Sequence, residues 1–144
     1  MRRSPGTVDA RHFWVLPEHE FERAVVLLCD GSNRITSFGG RYSQLLASYL
    51  DLHLRMMRPH TAVRAPHVND DPAFLADVGR RSVCVVFDFR RYQRDTMELA
   101  RAASNKGAKI TLITDPWLSP AAGFADVVLP AHVEAAASSR PPHW

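Results

Sequence analysis

Lysine is almost missing from this chain. Only Lys106 and Lys109 carry an ammonium group; the other basic residues are arginines, dispersed along the sequence. A dispersed positive charge, with a net of only +3, gives no basic stripe for nucleic acid. The arginine fork does suit a small anion held in a bidentate grip. Cysteine is scarce as well, with Cys29 in a predicted helix and Cys84 in a predicted strand. That excludes a disulfide scaffold and predicts two buried free thiols in a reducing cytoplasm. No run is long and apolar enough to span a bilayer, and no apolar stretch follows the basic start Met1-Arg2-Arg3. Neither a P-loop, a dinucleotide fingerprint, nor a Ser/His/Asp or Cys/His grouping occurs. His53, His60 and His67 recur every seven residues, but Pro59 breaks the helix between the first two. No cysteine or close carboxylate completes a ligand set, so no metal or other cofactor is expected.

What is present is the pattern of one globular domain. The chain has 144 residues, 46% of them hydrophobic, enough for one core and too few for two ordinary ones. The run Val83-Cys84-Val85-Val86-Phe87 predicts a buried strand, and it leads into the charged loop Asp88-Phe89-Arg90-Arg91-Tyr92-Gln93. A helix follows, with Asp95 expected as its N-cap, Glu98 in capping-box position and Gly107 as its left-handed stop. Ala108 to Thr114 is a second strand, closed by Asp115-Pro116. Strand, helix, strand gives parallel neighbours, and ligands of open α/β sheets bind beyond the carboxyl ends of such strands.

The rest of the chain extends this pattern. Pro17-Glu18 opens a helix whose face is Phe21, Ala24, Val25 and Leu28, and Asp30-Gly31-Ser32-Asn33 ends it. Arg34 to Phe38 predicts a strand with Gly39-Gly40 as the turn after it. A helix is expected from Arg41 to Met57, with Leu45, Tyr49, Leu52 and Met56 in one stripe, widened by Leu46, Leu50, Leu54 and Met57. So broad a stripe implies cover on two sides, by the sheet and by a second subunit. Thr61 to Ala65 is a further strand, Asp71-Pro72 starts a short helix through Val78, Ser119-Pro120 starts another, and Asp126 to Leu129 is a fifth strand. The whole reads as an α/β fold, an all-parallel sheet with helices on both faces. Residues 1–32 form a linker and helix, 33–134 the domain, and 135–144 an irregular tail.

Two loops carry the candidate chemistry. In Gly39-Gly40-Arg41-Tyr42-Ser43, glycines let the backbone approach an anion at a helix N-terminus and Ser43 can donate a hydrogen bond. Asp88 to Gln93 lies at the mouth of the central strand, where the fold places ligands. Glu134, with His132 near it, is the only carboxylate placed like an isomerase base, and one carboxylate makes a poor case for an enzyme.

The Gly39-to-Ser43 turn followed by Ala47, Val85 through Tyr92, Ala100 through Ala108, Ile113-Thr114-Asp115, Leu118-Ser119-Pro120 and Ala125 through Pro130 together resemble the sugar isomerase (SIS) domain. The version in RpiR/MurR-type bacterial transcriptional regulators is the most similar. The resemblance implies a flavodoxin-like, three-layer fold with a five-stranded parallel sheet, a homodimer, and a phosphorylated-sugar ligand. Fold position and the resemblance together make Gly39, Gly40, Arg41, Ser43, Asp88, Arg90, Arg91, Tyr92, Gln93, Thr114 and Ser119 the expected ligand-binding set. The family's second loop reads Ser-x-Ser-Gly-x-Thr, whereas here Asp88 to Gln93 replaces each of its hydroxyls. A sugar acid is therefore as reasonable a ligand as a sugar phosphate.

The resulting expectation is a cytoplasmic, non-enzymatic effector domain. It would sense a sugar derivative through a homodimer, reach DNA only through a helix-turn-helix domain that this chain lacks, and touch no membrane. The alternatives are a sugar-phosphate isomerase or aldolase-like enzyme, and a dimerisation-only module whose loop has lost its ligand.

Overall fold

The seven residues Ser82–Asp88 are all buried, as only a strand flanked and covered on every side can be. The structure, a computed structural model, describes residues 18–65 and 71–131. Its elements are α1 (Glu18–Cys29), β1 (Arg34–Gly39), α2 (Gln44–Leu54), β2 (Thr61–Val63), α3 (Asp71–Ala76), β3 (Ser82–Asp88), α4 (Arg94–Asn105), β4 (Lys109–Thr114), a 3₁₀ turn (Pro120–Gly123) and β5 (Val127–Pro130). The five strands form one sheet in the order β2-β1-β3-β4-β5. Every pairing is parallel, with Thr36 opposite Cys84 and Cys84 opposite Ile110 across the middle. This is the flavodoxin-like arrangement expected from the sequence.

The period-2 alternation of β3 splits the core in two. Cys84 and Val86 join Phe38, Ile110 and Leu112 beneath Leu99, Ala100 and Ala103 of α4. Val83, Val85 and Phe87 join Ile35 beneath Ala47 and Leu54 of α2. Gly107 (φ 105°) closes α4 in a Schellman motif: the Ala108 N–H donates to the Ala103 carbonyl at 3.1 Å and the Gly107 N–H to the Ser104 carbonyl at 3.0 Å.

Several elements depart from expectation for visible reasons. Asp95 is not the N-cap of α4. Gln93 is, in extended conformation, because its N–H is tethered to Asp88 Oδ1 and the helix starts immediately after; Asp95 sits in the first turn, where it complements the helix dipole. The second helix is shorter than Arg41 to Met57, since residues 41–43 form a turn closed by Gln44 N–H to the Gly40 carbonyl, and the other end tightens to three-residue bonds at Met56 and Met57. The second strand ends at Val63, the short helix at Ala76, and β5 is shifted by one because Asp126 Oδ2 accepts the Ile110 N–H instead of joining the strand. Cys84 is buried, which pushes its thiol up to about 12, but Cys29, expected to be buried, is exposed.

Arg58 locks the first two helices together. Its guanidinium donates to the carbonyls of Leu28 (2.7 Å), Asp30 (2.9 Å), Pro59 (2.9 Å) and Asn33, supplying donors for carbonyls at the end of α1 and in the loop behind it. At the other edge of the sheet, Glu20 of α1 accepts the Val128 N–H of β5 at 2.9 Å. The broad apolar surface of α2 is covered on one side only: Ala47, Asp51 and Leu54 are buried, while Leu45, Tyr49, Leu52 and Met56 on the opposite side are 74, 66, 56 and 77% exposed. Among the described residues, no helix is long and apolar enough to cross a membrane and no histidine, cysteine or carboxylate cluster could hold a metal. His53 and His60 are both exposed; His67, His132, Glu134 and the tail lie outside the described residues.

Candidate functional site

The carboxyl ends of β1 and β3 converge on one cleft. Gly39 leaves no room for a side chain, because a Cβ there would stand 2.9 Å from the Ser43 backbone and 3.0 Å from the Phe87 carbonyl oxygen. Its N–H donates to Gln44 Oε1 at 3.1 Å, tying the turn to the first residue of α2. Gly40 is filled from across the cleft: a Cβ would come within 2.3 Å of Gln93 Cγ. The two loops therefore touch through Gly40 and Gln93. Beside that contact lies an opening of about 420 Å³ lined by Gly39, Gly40, Arg41, Gln44, Gln93, Asp95 and Thr96.

Behind the cleft two carboxylates organise the loops. Asp88 accepts the Ser119 hydroxyl at 2.6 Å through Oδ2 and the Gln93 N–H at 3.3 Å through Oδ1. Ser119 is held by its own N–H on Thr114 Oγ1 (2.9 Å), and its oxygen accepts the Ala121 N–H (3.0 Å). Asp115 accepts four donors: the Arg90 N–H and the Tyr92 hydroxyl at 2.7 Å, and the Trp117 and Leu118 N–H groups at 3.1 Å. The Arg90 guanidinium stacks 3.8 Å above the Trp117 ring. Arg91 (φ 65°) and Leu118 (φ 66°) are held left-handed in the two facing loops, which costs roughly 1–2 kcal/mol each. Burial raises the Asp88 carboxyl above its usual range against the opposing Ser119 and Gln93 bonds, with Asp115 adding to the rise. Burial, then the Asp115 bond, raises the Tyr92 phenol.

The eleven candidate residues thus separate by position. Gly39, Gly40, Arg41 and Gln93 border the cleft. Asp88, Tyr92, Thr114 and Ser119 join in the network behind it, Arg90 lies on Trp117, Arg91 is exposed, and Ser43 precedes α2 without a side-chain cap bond. Sequence reasoning missed Gln44, Asp95 and Thr96 on the cleft, and Asp115 behind it. Asp115 was detectable: Asp-Pro after a strand, accepting the N–H two residues on, is an Asx turn. Gln44 and Thr96 carried no local signal.

Comparison with known proteins agrees with this fold. The family model described as SIS domain matches residues 30–142. The chain superimposes on the sugar isomerase domain of an RpiR transcription factor from Sphaerobacter thermophilus with a TM-score of 0.72 and 26% identity, over 81% of this chain and 64% of that one. A sugar-phosphate isomerase candidate from Listeria monocytogenes gives 0.73 at 18% identity, over 90% and 64%. A phosphosugar isomerase candidate involved in capsule formation in Bacteroides fragilis gives 0.69 at 20%, over 93% and 74%. The chain thus spans about 64% of the length of the first two. No curated protein sequence matches. With its parallel 2-1-3-4-5 sheet, its cleft at the carboxyl ends of β1 and β3, and a family model matched over most of its length, this chain belongs to the SIS-domain family.

Proposed function

We propose that this chain is the carbohydrate-derivative-binding effector domain of an RpiR-like transcriptional regulator, cytoplasmic and non-enzymatic, acting through a homodimer. The observation that carries the reading is the position of α2. Arg41, in the turn before it, and Gln44, its first residue, border the cleft, and the helix turns Leu45, Tyr49 and Leu52 outward, with Met56 following in the turn at its end. Their spacing of four, three and four residues makes one narrow seam on the side away from the sheet. All four residues are more than half exposed, and a contiguous apolar surface of this kind marks an association site. A second copy of α2 fits that seam, and ligand contacts at Gly40 and Arg41 would bias how the two copies pack. The bias equals the ligand's differential affinity for the two arrangements. DNA contact belongs to a separate domain.

Turnover is not part of the reading. Among the described residues Asp95 is the one carboxylate bordering the cleft, and proton transfer between neighbouring carbons needs a positioned base with a partner acid. The experiment is a thermal-shift panel of aldoses, alditols, aldonates and their phosphates on the full chain, with aldose–ketose isomerisation assayed on the same compounds. Stabilisation by a panel member without turnover is expected. No shift from any compound would leave the dimerisation-only module, and turnover above background would make the chain an enzyme.

A further inference from the structure

The loop between β3 and α4 is tied down except for one side chain. The Arg90 N–H donates to Asp115 Oδ2 at 2.7 Å, the Tyr92 hydroxyl to Asp115 Oδ1 at 2.7 Å, and the Gln93 N–H to Asp88 Oδ1 at 3.3 Å. Both carboxylates are buried, so the frame that holds this loop belongs to the core. The Gln93 side chain is the exception. It is exposed, and its one hydrogen bond among the described residues runs from Nε2 to the carbonyl of the exposed Arg91 at 3.1 Å.

That side chain lies flat on Gly40. A Cβ at Gly40 would stand 2.3 Å from Gln93 Cγ, 3.3 Å from its Cβ and 3.4 Å from its Cδ. Gly40 is buried although it borders the cleft. It has no side chain of its own, so what it offers a ligand is bare backbone, and Gln93 covers it. The Gln93 side chain and a ligand group at Gly40 cannot share that space. Rotation of the glutamine about its own torsions clears it, leaves the loop backbone in place and breaks one exposed hydrogen bond.

We infer that Gln93 is the gate of this cleft: its side chain competes with the ligand for the Gly40 backbone instead of holding the ligand, as the resemblance would have it. This gate deepens the sugar-binding reading above and rests on it. Glutamine is uncharged, so replacing it leaves Arg41 and Asp95, the charged residues bordering the cleft, as they are. A change in affinity then reports space and not charge. Gln93 makes no side-chain cap bond to α4, so small residues are tolerated there.

The test compares the full chain with Gln93→Ala and Gln93→Ser in two measurements. The first needs no ligand: relaxation of the Gly40 α-protons by a soluble gadolinium chelate. It should rise in both variants toward the value of Gly31, which is exposed with nothing within 4 Å of its missing Cβ. The second is the thermal panel, with glucose, gluconate and glucose 6-phosphate as probes. A probe that stabilises wild type should bind the variants at least about threefold more tightly, because apparent affinity falls with the fraction of time the gate stands open. A probe that stabilises only the variants supports the gate as well. Equal or weaker binding by the variants makes Gln93 a ligand contact or a bystander and overturns the inference. Loss of the fold in both variants makes the side chain a strut and also overturns it. If no probe shifts any of the three proteins, the sugar-binding reading fails and the relaxation decides the cover on Gly40 alone: a rise supports it, and an unchanged value overturns it.

Discussion

At the residue scale, the site is decided by backbone space and buried charge. Gly39→Ala places a methyl against the Ser43 and Phe87 backbones, which cannot move aside as a flexible side chain could. The variant should lose about 2 kcal/mol of stability in urea denaturation, within the usual cost of overpacking. The cysteines give a second check. In native protein one thiol, Cys29, should react promptly with a disulfide reagent at pH 8, and Cys84 only after unfolding, because burial holds it as the thiol. The pH dependence follows from Asp88. Its folded-state pKa lies above the unfolded value, so its favourable contribution is complete below the unfolded pKa and is lost as pH rises through the folded one. Asp88→Asn should therefore be relatively more destabilising at pH 3 than at pH 6, as measured by chemical denaturation at both pH values. The loops Gly39–Gly40 and Asp88–Gln93 were legible as the site because turn chemistry and strand ends are local. The division of labour between them was not. Whether Asp88 faces a ligand or Ser119, thirty-one residues away, is settled only by the packing of β4 beside β3.

At the scale of elements, α2 is the part whose sequence and structure differ most usefully. Its apolar excess predicted cover on two sides, and the structure sorts the residues: Leu54 is buried on the sheet, Leu50 is half-buried, and Leu45 and Leu52 face outward. A charge at Leu54 would test the fold, whereas one at Leu45 or Leu52 tests the interface. Leu52→Glu should leave the far-UV spectrum and cooperative unfolding intact and yield a monomer by sedimentation equilibrium, where wild type at tens of micromolar should be a dimer. A charge buried without a partner costs several kcal/mol, comparable to what holds a modest interface. Arg58 tests the other junction. Arg58→Ala leaves the carbonyls of Leu28, Asp30 and Asn33 without their donor and should cost about 2 kcal/mol, and Arg58→Lys should recover only part of it, since an ammonium lacks the fork. Elements of strong period were readable along their lengths, although the N-cap of α4 fell on Gln93 and β5 began one residue later than expected. The ends of α2, α3 and β2 were not, because tight turns and single side-chain bonds fixed them.

At the scale of the whole molecule, the parallel sheet follows from one buried run with helices alternating on both sides, and it brings two loops separated by nearly fifty residues to one cleft. On the proposed reading, α2 joins that cleft to a dimer seam. The central claim is that the cleft at Gly39–Gly40 and the first turn of α4 binds a sugar derivative. The most direct measurement is a ¹⁵N–¹H correlation titration of the full chain with the stabilising member of the sugar panel. Saturable shifts are expected, centred on the amides of Gly39, Gly40, Gln93, Asp95 and Thr96 and fading toward β2 and α3. Shifts centred elsewhere, or none at millimolar ligand, would contradict it.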